Sequence, residues 1–171
     1  MSVKVTQLPV AQPRPRRIAI GTFDGVHVGH RRVIEGADTV LTFEPHPVQV
    51  IHPEAAPKLI MPFSAKRDTI EGLGVEEIVV IPFDAAFSKI SAEDFIDRIL
   101  VEQLGATHVS VGENFRFGAK AKGDQRMLAG HGEFETRIVP LVEIDGETVS
   151  STRIRALVAA GDVEAAMRCL A

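Results

Sequence analysis

The 171-residue sequence has one cysteine and neither tryptophan nor tyrosine. Because Cys169 has no partner cysteine, an intrachain disulfide and a metal site built from several cysteines are excluded. No stretch approaches the roughly 18–20 consecutive apolar residues that cross a bilayer, and the amino terminus lacks the apolar segment of a signal peptide. We therefore expect a soluble cytoplasmic protein that does not associate with membranes.

The sequence also lacks the excess of positive charge that is typical of nucleic-acid-binding proteins. It contains 19 Lys and Arg against 23 Asp and Glu, a net charge of −4, so we expect no nucleic-acid partner. Apolar residues make up 45% of the chain and charged residues 25%, which is typical of a globular domain with a buried core.

Basic residues are concentrated at the amino terminus. The first 17 residues carry no acidic side chain and four basic ones: Lys4, Arg14, Arg16 and Arg17. Prolines restrict the end of this segment to extended conformations. We expect residues 1–16 to form a solvated extension or a short edge strand before a single domain over residues 17–171.

Short apolar runs alternate with stretches in which apolar residues recur at helical spacing. Five runs are predicted to be strands: Ile18–Ile20, Thr39–Phe43, Ile78–Ile81, His108–Val111 and Phe134–Val139. Helices are predicted over 64–73 and 91–104, from 150 onwards and up to 170. The pattern predicts an α/β fold whose mainly parallel sheet of about five strands has helices on both faces. The Asp145-Gly146 pair predicts a small additional hairpin.

A polar loop follows the first predicted strand: Gly21-Thr-Phe-Asp-Gly-Val-His-Val-Gly-His30. Its glycines allow a tight turn, and the N–H groups at the start of the next helix favour an anion such as phosphate. His27 and His30 are three residues apart and therefore share one face of a helical turn. Such a pair can donate to phosphate oxygens or ligate zinc, although no third zinc ligand is evident.

A second polar segment, Ser150-Ser151-Thr152, begins a predicted helix that carries Arg155 one turn later. The hydroxyl groups could only cap the helix, or they could bind a phosphate together with the guanidinium. With the first loop, this segment could bracket a triphosphate at the edge of the sheet.

The HxGH motif after the first strand and the SSTxxR motif before a late helix together resemble the nucleotidyltransferase superfamily. Two further motifs, Thr42-Phe-Glu-Pro-His-Pro47 and Val111-Gly-Glu-Asn-Phe-Arg-Phe-Gly118, make the chain similar to the FMN adenylyltransferase module of prokaryotic bifunctional riboflavin kinase/FAD synthetases. The similarity covers about residues 16–170. It implies a Rossmann-like nucleotidyltransferase fold and transfer of AMP from ATP to FMN, giving FAD and pyrophosphate, with Mg²⁺ accompanying ATP.

The resemblance also implies a role for each motif residue. Independently of it, we expect no metal-ligating side chain. The expected catalytic residues are His27, His30 and Arg155. The residues expected to bind ATP are Gly21, Thr22, Phe23, Asp24, Gly29, Ser150, Ser151 and Thr152. The residues expected to bind FMN are Phe43, His46, Asn114, Phe115 and Phe117.

This reaction needs neither a general base nor a covalent intermediate. A phosphate monoester, with its second pKa at about 6, is already mostly dianionic at neutral pH. The FMN phosphate can therefore attack the α-phosphorus in line, provided that the protein positions both substrates and neutralises charge.

The sequence departs from the family pattern in two places. Only eleven residues, Arg31–Leu41, separate His30 from the second motif, which leaves a first helix of about 9 Å at 1.5 Å per residue. We expect this short helix to cover the sheet poorly, exposing an apolar patch for a partner or a second copy or widening the ATP entrance. The sequence ends at residue 171, where the bifunctional proteins continue into a riboflavin kinase barrel, and we expect no kinase activity. We also expect a monomer or weak homo-oligomer.

Other interpretations remain open. Phe115 and Phe117 could be a turn that closes the core, and the Glu44–Pro47 segment could be only a rigid exit from a strand. A cytidylyltransferase acting on another phosphate ester would share the first and last motifs. A non-catalytic flavin- or nucleotide-binding relative would keep the fold, with the short first helix in its favour.

Overall fold

The computed structural model describes residues 2–170. Its strands are β1 (Lys4–Gln7), β2 (Arg16–Ile20), β3 (Thr39–Glu44), β4 (Glu77–Pro82), β5 (Ala106–Gly112), β6 (Arg116–Phe117), β7 (Gly123–Asp124), β8 (Glu135–Val139), β9 (Glu143–Ile144) and β10 (Glu147–Thr148). Six of them form a parallel sheet in the order β1-β4-β3-β2-β5-β8. The sheet has one strand more than the five predicted, because β1 pairs with β4 at one edge.

The order of the strands determines where a ligand can bind. From β2 the sheet extends through β3 and β4 in one direction, whereas β5 and β8 lie on the other side of β2. The order therefore reverses between β2 and β5. In open parallel sheets, ligands bind at the carboxyl ends of the strands at such a reversal.

The helices are α1 (Val28–Ile34), α2 (Pro47–Ile51), α3 (Phe63–Glu71), α4 (Ala92–Asp94), α5 (Gln125–Ala129), α6 (Ser151–Ala159) and α7 (Val163–Leu170). After α4 the chain continues as a π-helical segment, Phe95–Gln103, at whose end the N–H of Leu104 donates to the carbonyl of Ile99. The helix predicted over 91–104 is therefore present but has wider turns than expected. Short 3₁₀ turns cover Leu8–Val10, Pro53–Ala55, Phe87–Lys89 and Ala119–Ala121.

Helices cover both faces of the sheet, as predicted. On one face the π-helical segment and α5 pack against alternate sheet residues such as Ile18 and Ile20. On the other face α1 and α3 pack against Ala19, Val40 and Ile78. The predicted Asp145-Gly146 hairpin joins β9 to β10 and packs with α6 and α7 in a separate small cluster.

Of the two alternatives for the amino-terminal segment, the structure shows the short edge strand, β1, and the basic residues after it are not all solvated. Arg16 is 2% exposed; its Nε donates to Glu77 Oε1 at 3.1 Å and its Nη1 to the carbonyl of Leu104 at 2.7 Å. Arg14 Nη2 and Thr6 Oγ1 also donate to Glu77, at 2.8 and 2.7 Å. A buried carboxylate with three donors therefore anchors the segment to the sheet.

Helix α1 is as short as expected, with seven residues. Next to its end a cavity of about 350 Å³ lies over β2, β5 and β8. Its lining includes the charged side chains of Arg17, Glu35, Glu135 and Arg137, together with His108. Apolar residues, Ile18, Ala37 and Val109, line the same cavity, so the surface beside the short helix is mixed and the expected apolar patch stays a prediction. Within residues 2–170, no helix is long and apolar enough to cross a membrane.

Candidate active site

Two cavities meet at the carboxyl ends of β2 and β5, where the strand order reverses. The larger has a volume of about 880 Å³ and the smaller about 260 Å³. Thr22, which follows β2, lines both cavities, as do Asn114 and Phe115, which follow β5. Ligands in the two cavities would therefore meet at these three residues.

The larger cavity is mainly apolar, and its size suits an organic ligand such as a cofactor. Four residues predicted to bind FMN line it: Phe43, Asn114, Phe115 and Phe117. The Phe115 and Phe117 rings stack with centroids 5.7 Å apart and an interplanar angle of 17°. Pro47, the last residue of the second motif, also lines it. Sequence reasoning did not single out six further apolar residues of the lining: Val48, Ile51, Phe83, Phe87, Ile90 and Phe95.

The smaller cavity collects most of the residues predicted to bind ATP. The Gly21 loop and the start of α6 approach each other there, as the two motifs predict. The predicted residues that line it are Gly21, Thr22, Phe23, His27, Gly29, His30, Ser150 and Ser151.

The two histidines of the HxGH motif cap α1 reciprocally. His27 Nδ1 accepts the backbone N–H groups of Gly29 and His30 at 3.1 and 3.2 Å, and His30 Nδ1 accepts the N–H of His27 at 3.2 Å. The expectation that these helix N–H groups are free for an anion is therefore wrong. Since each Nδ1 is an acceptor, each neutral ring carries its proton on Nε2, which leaves two imidazole N–H donors at the smaller cavity.

The histidine rings are packed closely, and Gly29 makes that packing feasible. His27 and His30 stack with centroids 3.5 Å apart, and Phe23 contacts His30 edge-on at 5.3 Å. A Cβ on residue 29 would lie 2.9 Å from His27 Cε1. Two residues of this loop, Phe23 and Val26, have positive φ angles of 53° and 43°, which is unusual for non-glycine residues and typical of functional loops.

Both imidazoles are neutral at physiological pH. Burial lowers the pKa of His27 to about 4, although the nearby Asp24 carboxylate opposes the shift. Burial, followed by the neighbouring His27 and Lys66, lowers the pKa of His30 well below its usual value. Neutral Nε2–H groups can donate to phosphate oxygens without first losing a proton.

Asp24 connects the first loop to α6. Its carboxylate accepts Arg155 Nη2 at 2.5 Å and the N–H of Ile60 at 3.1 Å, while its carbonyl accepts Ser151 Oγ at 2.8 Å. Arg155 Nε donates to the carbonyl of Lys58 at 2.7 Å. Arg155 is therefore held at the side of the first loop, and it does not line either of the two cavities.

Two further predicted residues lie apart from both cavities. His46 caps α2 by accepting the N–H of Val48 at 3.2 Å and borders a small pocket together with Asp24 and Glu44. Burial, more than any nearby charge, lowers its pKa. Thr152 is exposed in the first turn of α6.

Lys66 is a site residue that sequence reasoning missed. It is 5% exposed and borders the same small pocket as His46. Its Nζ forms an ion pair with Glu44 Oε1 at 2.8 Å. The sequence does contain a signal, because Lys66 lies three residues after Phe63 and four before Ile70, on the apolar stripe of α3.

The arrangement suits binding of a nucleotide beside a flat apolar ligand. Among the described residues, 2–170, no three His, Cys, Asp or Glu side chains are grouped as a metal site. The residues at the two cavities supply hydrogen-bond donors and positioned charges.

The chain matches the FAD synthetase family model over residues 10–153. A bifunctional riboflavin kinase/FMN adenylyltransferase from Pseudomonas fluorescens is 37% identical over 164 residues, which cover 88% of this chain and 52% of that protein. One from Listeria monocytogenes is 35% identical over 166 residues, covering 90% and 52%. The chain spans about half the length of these curated relatives.

Among solved structures, a protein described as a macrolide-efflux protein from Streptococcus pneumoniae has the same fold, with a TM-score of 0.84. The likeness covers 99% of this chain and 61% of that chain at 24% identity, and it supports the Rossmann-like architecture alone. The family match spans most of the sequence, and the chain therefore belongs to the FAD synthetase family.

Proposed function

We propose that the protein transfers AMP from ATP to FMN, producing FAD and pyrophosphate. The observation that carries this proposal is the meeting of two cavities of different character at Thr22, Asn114 and Phe115. FMN in the larger cavity and ATP in the smaller would bring the flavin phosphate and the α-phosphorus together at that junction. The family membership and the names of the relatives support the same assignment.

The flavin ring is assigned to the larger cavity. Its aromatic walls, including Phe115 and Phe117, suit the flat isoalloxazine. Asn114 can supply both a donor and an acceptor at the junction. This residue would hold the FMN phosphate side of the molecule close to the nucleotide.

The transferred phosphate is assigned to the paired histidines. The Nε2–H groups of His27 and His30 would donate to oxygens of the α-phosphate, where negative charge is redistributed in the transition state. Both rings are fixed beforehand by their backbone hydrogen bonds, so little reorganisation is needed. The attacking oxygen belongs to the FMN phosphate, and the bond that breaks joins the α-phosphorus to the bridging oxygen of the pyrophosphate.

The leaving pyrophosphate is assigned to the start of α6. Thr152 would offer its hydroxyl, Ser151 and Thr152 would offer their backbone N–H groups, and Arg155 would neutralise charge. Two contacts hold the guanidinium of Arg155, and Nη1 has no hydrogen-bond partner within residues 2–170. We assign Nη1 to a phosphate oxygen, with Asp24 as the group that orients the guanidinium.

Mg²⁺ is assigned to the substrate, as MgATP. The ion prefers oxygen ligands and is usually held by substrate phosphates and water with one or two carboxylates. Asp24 and Glu44 are the carboxylates that border the small pocket next to the site, and both already pair with cations. The proposal places the reaction in the cytoplasm, in a monomer or weak homo-oligomer.

The test is chromatography of the products after incubation of the protein with FMN, ATP and Mg²⁺. Parallel reactions replace FMN by riboflavin and ATP by CTP. We expect FAD only with FMN and ATP, because riboflavin lacks the attacking phosphate. Product formed with CTP, or no FAD although FMN and ATP both bind, would contradict the proposal.

A further inference from the structure

Lys66 is buried in a way that calls for a functional explanation. It and Ile70 are the two buried residues of α3, and lysine is rarely fully buried unless it is paired. A long apolar side chain at this position would fill the same space without desolvating a charge. The contacts of the ammonium group therefore indicate what the lysine does.

Three acceptors surround the Lys66 ammonium. They are the carbonyl of Thr22 at 3.0 Å, Thr42 Oγ1 at 3.2 Å and Glu44 Oε1 at 2.8 Å. Of the three N–H donors of an ammonium, two make hydrogen bonds to Thr22 and Thr42, and the carboxylate of Glu44 balances the charge in an ion pair. Lys66 is 5% exposed and lines neither of the two cavities, so it acts through the groups that it holds.

These acceptors belong to the two segments that form the candidate active site. Thr22 lines both cavities, whereas Thr42 and Glu44 flank Phe43, which lines the larger one. Thr42 Oγ1 also donates to the carbonyl of Thr22 at 3.2 Å. The ammonium and the hydroxyl thus form a bridge from the end of β2 to the end of β3.

The bridge begins where the sheet stops holding these two strands together. The pairing of β2 with β3 ends at Ile20 and Leu41, and the N–H of Gly21 makes the last backbone hydrogen bond, to the carbonyl of Leu41 at 3.2 Å. Thr22 lies beyond it. Without the side-chain bridge, no hydrogen bond would hold the backbone of Thr22, at the junction of the two cavities, to β3.

We propose that Lys66 is a positioning residue: it fixes the end of β2 against the end of β3 and so holds the two substrates at the separation that transfer requires. This inference rests on the proposed function. A displacement of about 1 Å in the relative placement of reacting groups can cost about 100-fold in rate. The charge of Lys66 also contributes, after burial and His27, to the lowered pKa of His30.

The kinetic test compares Lys66→Met, Thr42→Val and the double variant, with Arg67→Met as the control. Arg67 is the next residue of α3, and its guanidinium pairs with Asp68 in partly exposed positions. We expect Lys66→Met to lower kcat about 100-fold while KM for FMN and ATP changes by no more than about threefold. The control should retain wild-type kinetics.

The double variant distinguishes a shared bridge from two independent effects. If Lys66 and Thr42 act through one bridge, the double variant should be no slower than Lys66→Met alone. Multiplied losses would overturn the proposal. If Lys66→Met fails to fold, the nearly isosteric Thr42→Val decides: we expect it to lower kcat about tenfold at unchanged KM, and an unchanged kcat would overturn the proposal.

A binding measurement tests the inference without turnover. Flavin fluorescence gives the affinity for FMN with and without α,β-methylene ATP, which cannot transfer AMP. We expect the nucleotide analogue to change FMN affinity about tenfold in the wild type, within the usual range of coupling between sites, and hardly at all in Lys66→Met. A wild type that makes no FAD would refute the proposed function alone, whereas equal coupling in both proteins would overturn the role of Lys66.

Discussion

Replacing His30 separates its two roles, as cap of α1 and as donor to the transferred phosphate. Its Nδ1 accepts the N–H of His27, which leaves Nε2–H for the substrate. In His30→Asn the amide oxygen can take the place of Nδ1, but nothing replaces Nε2–H. In His30→Gln the amide reaches the position of Nε2, whereas the cap acceptor is lost.

The expected magnitudes follow from these contacts. Loss of one preorganised donor to a developing negative charge costs about 10²–10³ in kcat, or about 2.7–4 kcal/mol, so His30→Asn should lose that much. Its free energy of unfolding should stay within about 0.5 kcal/mol of the wild type. His30→Ala should lose the same activity and about 1 kcal/mol of stability, because it lacks the cap acceptor.

The assay measures initial rates of FAD formation at saturating ATP and FMN, with urea unfolding as the stability control. KM for FMN should change little, because His30 lines only the smaller cavity. His30→Asn should be slower than His30→Gln although it is more stable. Wild-type turnover in His30→Asn would refute the assigned donor role.

The remaining predictions concern other parts of the site and the fold. In a fluorescence titration, Asn114→Ala should weaken FMN binding about tenfold, which corresponds to a loss of about 1.4 kcal/mol of binding free energy. If Asn114→Ala and His30→Ala lost kcat and FMN affinity equally, the separate roles of Asn114 in binding and His30 in transfer would be contradicted. Gly29→Ala should displace the His27 ring and lower ATP affinity in calorimetry, whereas Gly132→Ala, whose Cβ would meet nothing within 4 Å, should not. Because burial lowers the pKa of His27 to about 4, His27 alone should lower the free energy of unfolding by about 3 kcal/mol between pH 6.5 and 4. His27→Asn should remove that share, while the share of His30, whose pKa is also lowered, stays. Glu77→Gln should lower the free energy of unfolding at pH 7 by about 3 kcal/mol or more, because it leaves the buried guanidinium of Arg16 without a charged partner. Burial raises the pKa of Glu77, but its hydrogen-bond donors outweigh burial and lower it. The stability difference between wild type and variant should therefore shrink as the pH falls below about 4.5.

The strands and the two polar loops could be predicted because their signals are local. Ile18–Ile20 and Thr39–Phe43 are continuous apolar runs, and the positive φ angles of Asp145 and Gly146, 56° and 79°, are those that the Asp-Gly pair favours. Strand β1 was harder to predict because its pairing partner, β4, lies 70 residues away in the sequence. The burial of Arg16 depends on the same long-range contact, through Glu77.

The chemistry of the site was predictable only in part, because hydrogen-bond partners are not a local property. The HxGH spacing places two imidazoles together, but it does not reveal that each Nδ1 caps the helix and that the backbone N–H groups are consequently occupied. Lys66 is visible in the sequence as a charge on an apolar stripe, yet its acceptors come from the loop after β2 and from β3. The apolar wall of the larger cavity is likewise assembled from segments that only the fold brings together.

The most direct test of the account follows the phosphorus atoms of ATP. The protein is incubated with FMN, Mg²⁺ and ATP that is labelled with ³²P at either the α or the γ position, and the products are separated. We predict that the α label appears in FAD and the γ label in pyrophosphate, because the FMN phosphate attacks the α-phosphorus. A γ label in the flavin, or no label in the flavin from either ATP, would contradict the account.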